Sequence, residues 1–385
     1  MEFSIAIIAR NGGKTLPTLF ESLKHFIKAG GEVVLVDTGS TDNTREIAAA
    51  AGCKVFEKRF DVLIDLDDVA TINQRLCVNN DAPILKLGDT YFNFAAARNF
   101  AAAQCSNDYV LAVDCDCIVR SLNWEKLNTI IKTNAADVYE GDYDFGGGLF
   151  LSCILAYNRK VAKYTGVCHE VLDGYKTHGI ISDNIYKLQH RNDDKPRGQY
   201  LTALAHQWYY NQTDPRSTHY LGKLLFYSGR FFSAAEILSA HVKMADAWLP
   251  ERSESAILTG HCLWRQKQAH CTEWWLLAFE LYPHRRAPLI ALAEFYKLHK
   301  NWTKVAAYAS AALEIPWNTE YVNNINHYTH VAYGLRYLAR YNSGADLKGA
   351  ADDFFKAYEI APDVYAGDKH LFEKKNNVMR KLFMN

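Results

Sequence analysis

The chain begins with a mainly apolar run at residues 4–9, Ser4 followed by five apolar residues and bounded by Arg10 and the pair Gly12-Gly13, a length and composition that predict a buried strand. Apolar positions then recur with helical spacing over 16–29, with Thr15 and Pro17 suited to the start and Gly30-Gly31 to the end. A second strand is predicted over 32–37, apolar at 33–36 and closing on Asp37, and the polar turn 38–44 leads into a short helix over 45–51. Val55 and Phe56 begin a third strand. Residues 95–104 read as a helix, and 109–114 as a strongly apolar strand closing on Asp114. This strand–helix–strand order implies parallel crossovers, hence an α/β sheet open at its strand ends. No period is evident between 61 and 89, where the abundance of Asp and Asn predicts an inserted loop covering the site. After Asp137, short alternating runs and Gly146-Gly147-Gly148 predict antiparallel strands, with the first domain closing near residue 197.

From about residue 200 the texture changes to helices rich in Ala, Leu and aromatic residues. Tyr220-Leu221, Tyr227, Gly229-Arg230, Ala234-Ala235 and Leu238 follow the helix–turn–helix pattern of a tetratricopeptide repeat. Three helix endings echo one another: Ala278 with Pro283, Ala311 with Pro316, and Ala357 with Pro362. The first two are spaced by nearly the ~34 residues of that repeat, and the longer last interval predicts an insertion over 318–326. Small residues allow close helix contact, and the prolines stop each second helix. Two domains follow, 1–197 and 198–385, the second an all-α tetratricopeptide-like array. Trp274, Trp275 and the many tyrosines read as packing residues rather than a sugar platform, although a concave acceptor-binding face stays open.

Composition narrows the picture a little. A length of 385 residues suffices for two cores, and 49% hydrophobic with 22% charged residues is ordinary for a folded protein. The 43 basic and 43 acidic residues cancel, which removes a global positive field for nucleic acid or anionic membrane but leaves room for a local patch. The opening apolar run is too short for a signal peptide or a span, and no later run approaches the ~20 residues of a transmembrane segment. Nine cysteines, an odd number, fit reduced thiols and a cytoplasmic location. Cys115 and Cys117 flank Asp116, but no second close Cys or His pair completes a structural zinc site.

The chemistry concentrates at the expected strand ends. Asp114-Cys115-Asp116 can turn two carboxylates onto one divalent cation, and magnesium or manganese prefers such oxygen ligands. The competing reading is an Asp-rich turn. Asp37 can accept a hydrogen bond from a nucleobase imide or a ribose hydroxyl, while Asp42 can equally cap the next helix. Arg10 can meet a diphosphate. Arg98 can face the nucleotide or form a salt bridge to Asp114 or Asp116. The glycines at 12, 13 and 39 form no dinucleotide fingerprint, and there is no Walker P-loop, which weakens dehydrogenase and ATPase readings.

These residues resemble family-2-type glycosyltransferases of the GT-A fold. The resemblance is carried by S-I-A-I-I-A-R-N at the start, V-V-L-V-D-T-G-S-T-D-N-T at 33–44 and F-N-F-A-A-A-R-N at 92–99. It continues through D-C-D at 114–116 and T-G-V-C-H-E-V-L at 165–172, and extends over roughly residues 3–190. It implies that Asp37 binds the nucleotide base and that Asp114 and Asp116 serve the metal and the sugar diphosphate. It implies Mn²⁺ or Mg²⁺ as cofactor and a nucleoside-diphosphate sugar as donor, a UDP-sugar being favoured. Enzymes of this subgroup often carry a tetratricopeptide-like tail. Two departures stand out. Asn11-Gly12-Gly13 replaces the usual Asn-Glu, and the 61–89 segment is longer than usual.

On the acceptor side, Glu170 is the candidate general base and His169 its neighbour in the loop, with Asp142, Asp144 and Asp173 as rivals. The base and a metal-stabilised leaving group would give inversion. By the same resemblance His190 completes the metal site, neutral imidazole suiting manganese. Lys195 and Arg197 can hold the diphosphate from a closing loop. The expected reaction is hexose transfer to a hydroxyl of a glycan, peptide or modified nucleic acid. The helical repeats would offer protein contact or self-association. A noncatalytic nucleotide-binding scaffold and a sugar-nucleotide hydrolase are the alternatives.

Overall fold

The computed structural model describes residues 1–78, 81–144, 150–190, 198–318 and 322–372. Its contacts divide the chain into two compact units, Met1–Asn211 and Gln212–Asn385. The first is an α/β sheet unit and the second a stacked all-α helical repeat region.

The sheet unit begins β1 (Phe3–Ala9), α1 (Leu16–Lys28), β2 (Val33–Asp37), α2 (Thr44–Ala50), β3 (Lys54–Glu57). It continues β4 (Asp61–Leu63), α3 (Leu66–Leu76), β5 (Thr90–Phe92), α4 (Phe94–Ala103), β6 (Tyr109–Asp114). Then come β7 (Cys117–Leu122), α5 (Trp124–Thr133), β8 (Val138–Asp144), β9 (Phe150–Asn158), β10 (Lys163–Thr165) and β11 (Val171–Asp173). The unit closes with β12 (His178–Ile180), β13 (Tyr186–His190) and α6 (Gln199–Tyr210). The main sheet runs β3-β2-β1-β6-β9-β8-β13-β7, with β12 beside β8. The first four strands are mutually parallel, and β9 joins β6 antiparallel. Both faces of β1 are buried, as expected of a central strand under crossover helices. Helix α1 covers one face with Leu16, Leu19, Phe20, Leu23 and Phe26, the three-and-four spacing of a single helical stripe. Phe26 stacks on Phe3 at 5.3 Å between ring centres. Burying each such side chain contributes roughly 1.5–3 kcal/mol.

Two expectations need correction here. Thr15 precedes α1 but makes no side-chain cap, its hydroxyl donating instead to Gly12 O at 3.2 Å. The 61–89 segment is not a structureless loop: β4 pairs with β5, and α3 starts at Asp65, whose carboxylate accepts from Asp68 N at 2.8 Å. Ile72 and Leu76 of α3 are buried, so the apolar stripe was present but masked by its acidic first turn. The boundary expected near 197 falls at the edge of residues 191–197, which lie outside the described residues; α6 belongs to the sheet unit and packs on β5 and α3.

In the helical unit α7 (Pro215–Tyr227), α8 (Phe231–Val242), α9 (Leu249–Arg265) and α10 (Cys271–Leu281) form two hairpins. Helices α11 (Ala287–Leu298), α12 (Trp302–Leu313), α13 (Ala332–Ser343) and α14 (Leu347–Ile360) continue the stack, each helix packing on its sequence neighbour. Among the described residues, the longer interval before the last hairpin holds a π-helical turn, His327–Val331. Ala278 and Ala357 are fully buried, but the equivalent buried position in α12 is Ala312, one residue beyond the expected Ala311, which is exposed. Trp275 is also fully buried and donates from Nε1 to Ile257 O at 3.1 Å, confirming its packing role. No described helix is long and apolar enough to cross a membrane.

Candidate active site

The register of the parallel strands places the acidic residues. Asp37 lies opposite Ala9 and Asp114 opposite Ile8, so both stand at the carboxyl edge of β1, one on each side. Two strand spacings of ~4.8 Å separate these strand ends by about 10 Å, room for a nucleoside between them. Open α/β sheets bind ligands at this edge.

Asp37 is 2% exposed; its Oδ1 accepts from Ser40 N at 3.0 Å and its Oδ2 lies 3.5 Å from Arg45 Nε. The loops after β1 and β2 are tied together beside it. Asn11 Oδ1 accepts from Thr41 N at 2.8 Å, Gly12 N donates to Thr44 Oγ1 at 2.8 Å, and Gly13 N donates to Asp42 Oδ2 at 2.9 Å. Asp42 thus knits two loops and also serves the start of α2, its Oδ1 accepting from Thr44 N at 3.1 Å, while Asn43 at the cap position makes no side-chain cap bond. A Cβ at Gly13 would lie 2.3 Å from Asn43 Oδ1. The close loop contact therefore accounts for a glycine at position 13. Arg10 pairs with Asp61 at 2.9 Å, a partner not foreseen.

Asp114, Asp116 and Cys117 place one potential ligand atom each within 4.8 Å of one another. The donor set suits a hard cation. Asp116 is 3% exposed and Asp114 half-buried. Burial pushes the Cys117 thiol well above its usual pKa, and Sγ lies 2.9 Å from the Tyr143 hydroxyl. The two carboxylates offer a divalent cation oxygen ligands. The backbone of His190 pairs with that of Cys117 across β13 and β7, which brings it beside the acidic turn. Lys195 and Arg197 lie outside the described residues.

The structure joins Arg98, Asp114 and Glu170. Arg98 Nη2 donates to Asp114 Oδ1 at 2.7 Å and Nε donates to Glu170 Oε1 at 2.6 Å. Burial opposes the charge on Arg98, but the two carboxylates outweigh it and hold its pKa well above the usual arginine value. His169, at φ 52°, turns the chain just before Glu170 and sets its ring against Tyr200 at 5.4 Å. Gln207 Oε1 accepts from Val167 N at 2.9 Å. Helix α6 therefore supports the His169–Glu170 turn, a role hidden in a segment whose sequence texture matches the helices that follow. Of the rival carboxylates, Asp142 and Asp173 are exposed, and Asp173 accepts from Gly174 N at 2.7 Å.

The model of glycosyl transferase family 2 matches residues 4–62. That stretch holds β1, Asp37 and the two knitted loops. No curated protein matches the chain. Among solved structures, residues 1–349 of TarS from S. aureus are similar at 15% identity and a TM-score of 0.37, covering 89% of this chain and 92% of that one. Glucosyl-3-phosphoglycerate synthase from Mycobacterium tuberculosis, solved with Mn²⁺ and uridine-diphosphate-glucose, is similar at 16% identity and a TM-score of 0.33, covering 54% and 76%. PilF from Pseudomonas aeruginosa is similar at 14% identity and a TM-score of 0.36, covering 44% and 72%. At such low identity and TM-score, function has to be read from this chain's own residues.

Proposed function

We propose that the sheet unit is a metal-dependent, inverting glycosyltransferase moving a hexose from a nucleoside-diphosphate sugar, a UDP-sugar being favoured, to an acceptor hydroxyl. The observation that carries this reading is the placement of Asp37 and the Asp114–Asp116 pair on either side of the β1 end. The family match over β1 and β2 supports it independently.

Asp37 would accept from the base or ribose, and Arg10 would turn from Asp61 to the diphosphate. Asp114 and Asp116, with His190, would hold a divalent cation, Mn²⁺ or Mg²⁺, which supplies positive charge to the departing diphosphate. Lys195 would add a second cation on the diphosphate side. Glu170 would take the proton of the acceptor hydroxyl as its oxygen bonds to the anomeric carbon. The bond from that carbon to the diphosphate oxygen then breaks, its electron pair leaving with the diphosphate. A single displacement inverts the anomeric centre. His169 would orient the acceptor or the base. The helical unit would receive the acceptor, whether glycan, peptide or modified nucleic acid, or a protein partner.

The test is a panel of nucleotide sugars with Mn²⁺ or Mg²⁺, measuring binding and nucleoside-diphosphate release with and without cell extract. Acceptor-dependent release is expected. Absence of donor binding in every condition rejects an enzyme, and release that no acceptor changes favours a hydrolase. Glu170→Gln should keep donor binding while transfer falls ~10²–10⁴-fold; undiminished transfer removes Glu170 as base.

A further inference from the structure

Arg98 is the fifth residue of α4, and its Nε–Nη2 edge serves two carboxylates from segments far apart in sequence. One ends strand β6 and the other begins the approach to β11. The guanidinium also lies over the Tyr164 ring, 5.5 Å from its centre, which fixes the plane of the fork. The backbone of the turn is held separately: Phe94 N donates to Val167 O at 2.9 Å, and Val167 N donates to Gln207. Glu170 is 13% exposed and Arg98 15%, so neither side chain is loosely solvated.

We propose that Arg98 is a positioning residue for transfer, setting the separation between the proton acceptor Glu170 and the acidic strand end by holding both on one edge. This rests on the reading of Glu170 as base. Arg98 acts on transfer through Glu170, while its bond to Asp114 anchors it to the acidic strand end. Two carboxylates gripped by one guanidinium cannot stay so close without it, because like charges at that range repel. Loss of Arg98 would let the shorter-tethered partner keep its place and send Glu170 away from the reacting hydroxyl. Lysine has a compact charge and no fork, so it can serve one carboxylate well but not both.

The experiment compares Arg98→Gln, Arg98→Lys, Glu170→Gln and the double variant R98Q/E170Q, using uridine diphosphate with Mn²⁺ as the binding probe. In R98Q the dissociation constant should move less than ~3-fold while kcat falls ~100-fold, and R98K should recover part of kcat. The double variant should be no slower than E170Q within ~3-fold, since a residue acting through Glu170 has nothing left to position. Losses that multiply in the double variant, or a fall in probe affinity as large as the fall in kcat, overturn the proposal. Hydrogen exchange of the amides from Gly166 to Leu172 needs no substrate. It should quicken in R98Q with β1 unchanged, and unchanged exchange overturns the tether whatever the chemistry. Failure of wild-type protein to bind the probe would instead count against the functional reading.

Discussion

Both units bury charge, but they do so to different ends. In the helical unit, Arg285 is 1% exposed and donates from Nη2 to Glu254 Oε2 and to Val322 O, each at 2.6 Å. Arg286 donates to Ile315 O at 2.8 Å and Leu313 O at 3.2 Å, closing the carbonyl end of α12. Asp353, 1% exposed, binds both Arg336 and Arg340. These charges complete the scaffold: they cap helix ends and neutralise one another. In the sheet unit, Asp37 and Asp116 are nearly as buried, yet they stand where strands stop, on an edge the fold has no need to make acidic. Buried charge that closes a helix argues for stability. Buried acid at an open strand edge argues for a ligand.

The largest expected effect sharpens that contrast. Asp116→Asn should lower metal-dependent turnover by 10³–10⁴-fold, about 4–5 kcal/mol, and weaken Mn²⁺ binding, while thermal unfolding stays put. Unchanged Mn²⁺ affinity would make Asp116 a structural residue like Asp353. Next, Trp275→Ala should cost the helical unit about 4 kcal/mol in urea unfolding while leaving nucleotide binding intact.

A third test uses pH. His241 is fully buried in the helical unit, and burial, aided by Arg252, lowers its pKa from 6.5 to about 4. The folded state favours the neutral ring, so the unfolded chain takes the proton first. Stability is therefore complete above pH 6.5 and is lost as pH falls towards 4, by about 3 kcal/mol from this residue. His219, fully buried beside it at 5.2 Å between rings and also lowered, adds to the loss. Urea unfolding between pH 7 and 4 reads it, and a flat profile would refute it. The smallest effect is Asp214→Ala, which removes the cap on Ser217 N at 3.1 Å and should cost about 1 kcal/mol.

Much of the sheet unit was legible because its strands are continuous apolar runs that close on acids, as at Asp37 and Asp114. What escaped were features that depend on partners remote in sequence. Helix α3 hid behind Asp65, Asp67 and Asp68, although an Asp cap followed by Ile72 and Leu76 was a usable signal. Helix α6 looks like the repeats after it, and only its contacts assign it to the sheet unit. Asp68, on α3, accepts from the Tyr210 hydroxyl at 2.7 Å and meets His206 at 3.0 Å, a link that no local pattern announces.

The sequence by itself determined the order of strands and helices, the acids at strand ends and the change to helical hairpins, because periodicity and end residues are local properties. Tertiary structure alone decided which charges meet. Arg98 was a cation on a helix until folding set Asp114 and Glu170 on one edge of its guanidinium. Gly260 was an unexplained glycine inside α9 until the Trp275 ring arrived where a Cβ would sit, 2.4 Å away. The physical reason is the same in both cases. Hydrogen bonds and steric exclusion act over a few ångströms in space, and distance along the chain does not record them.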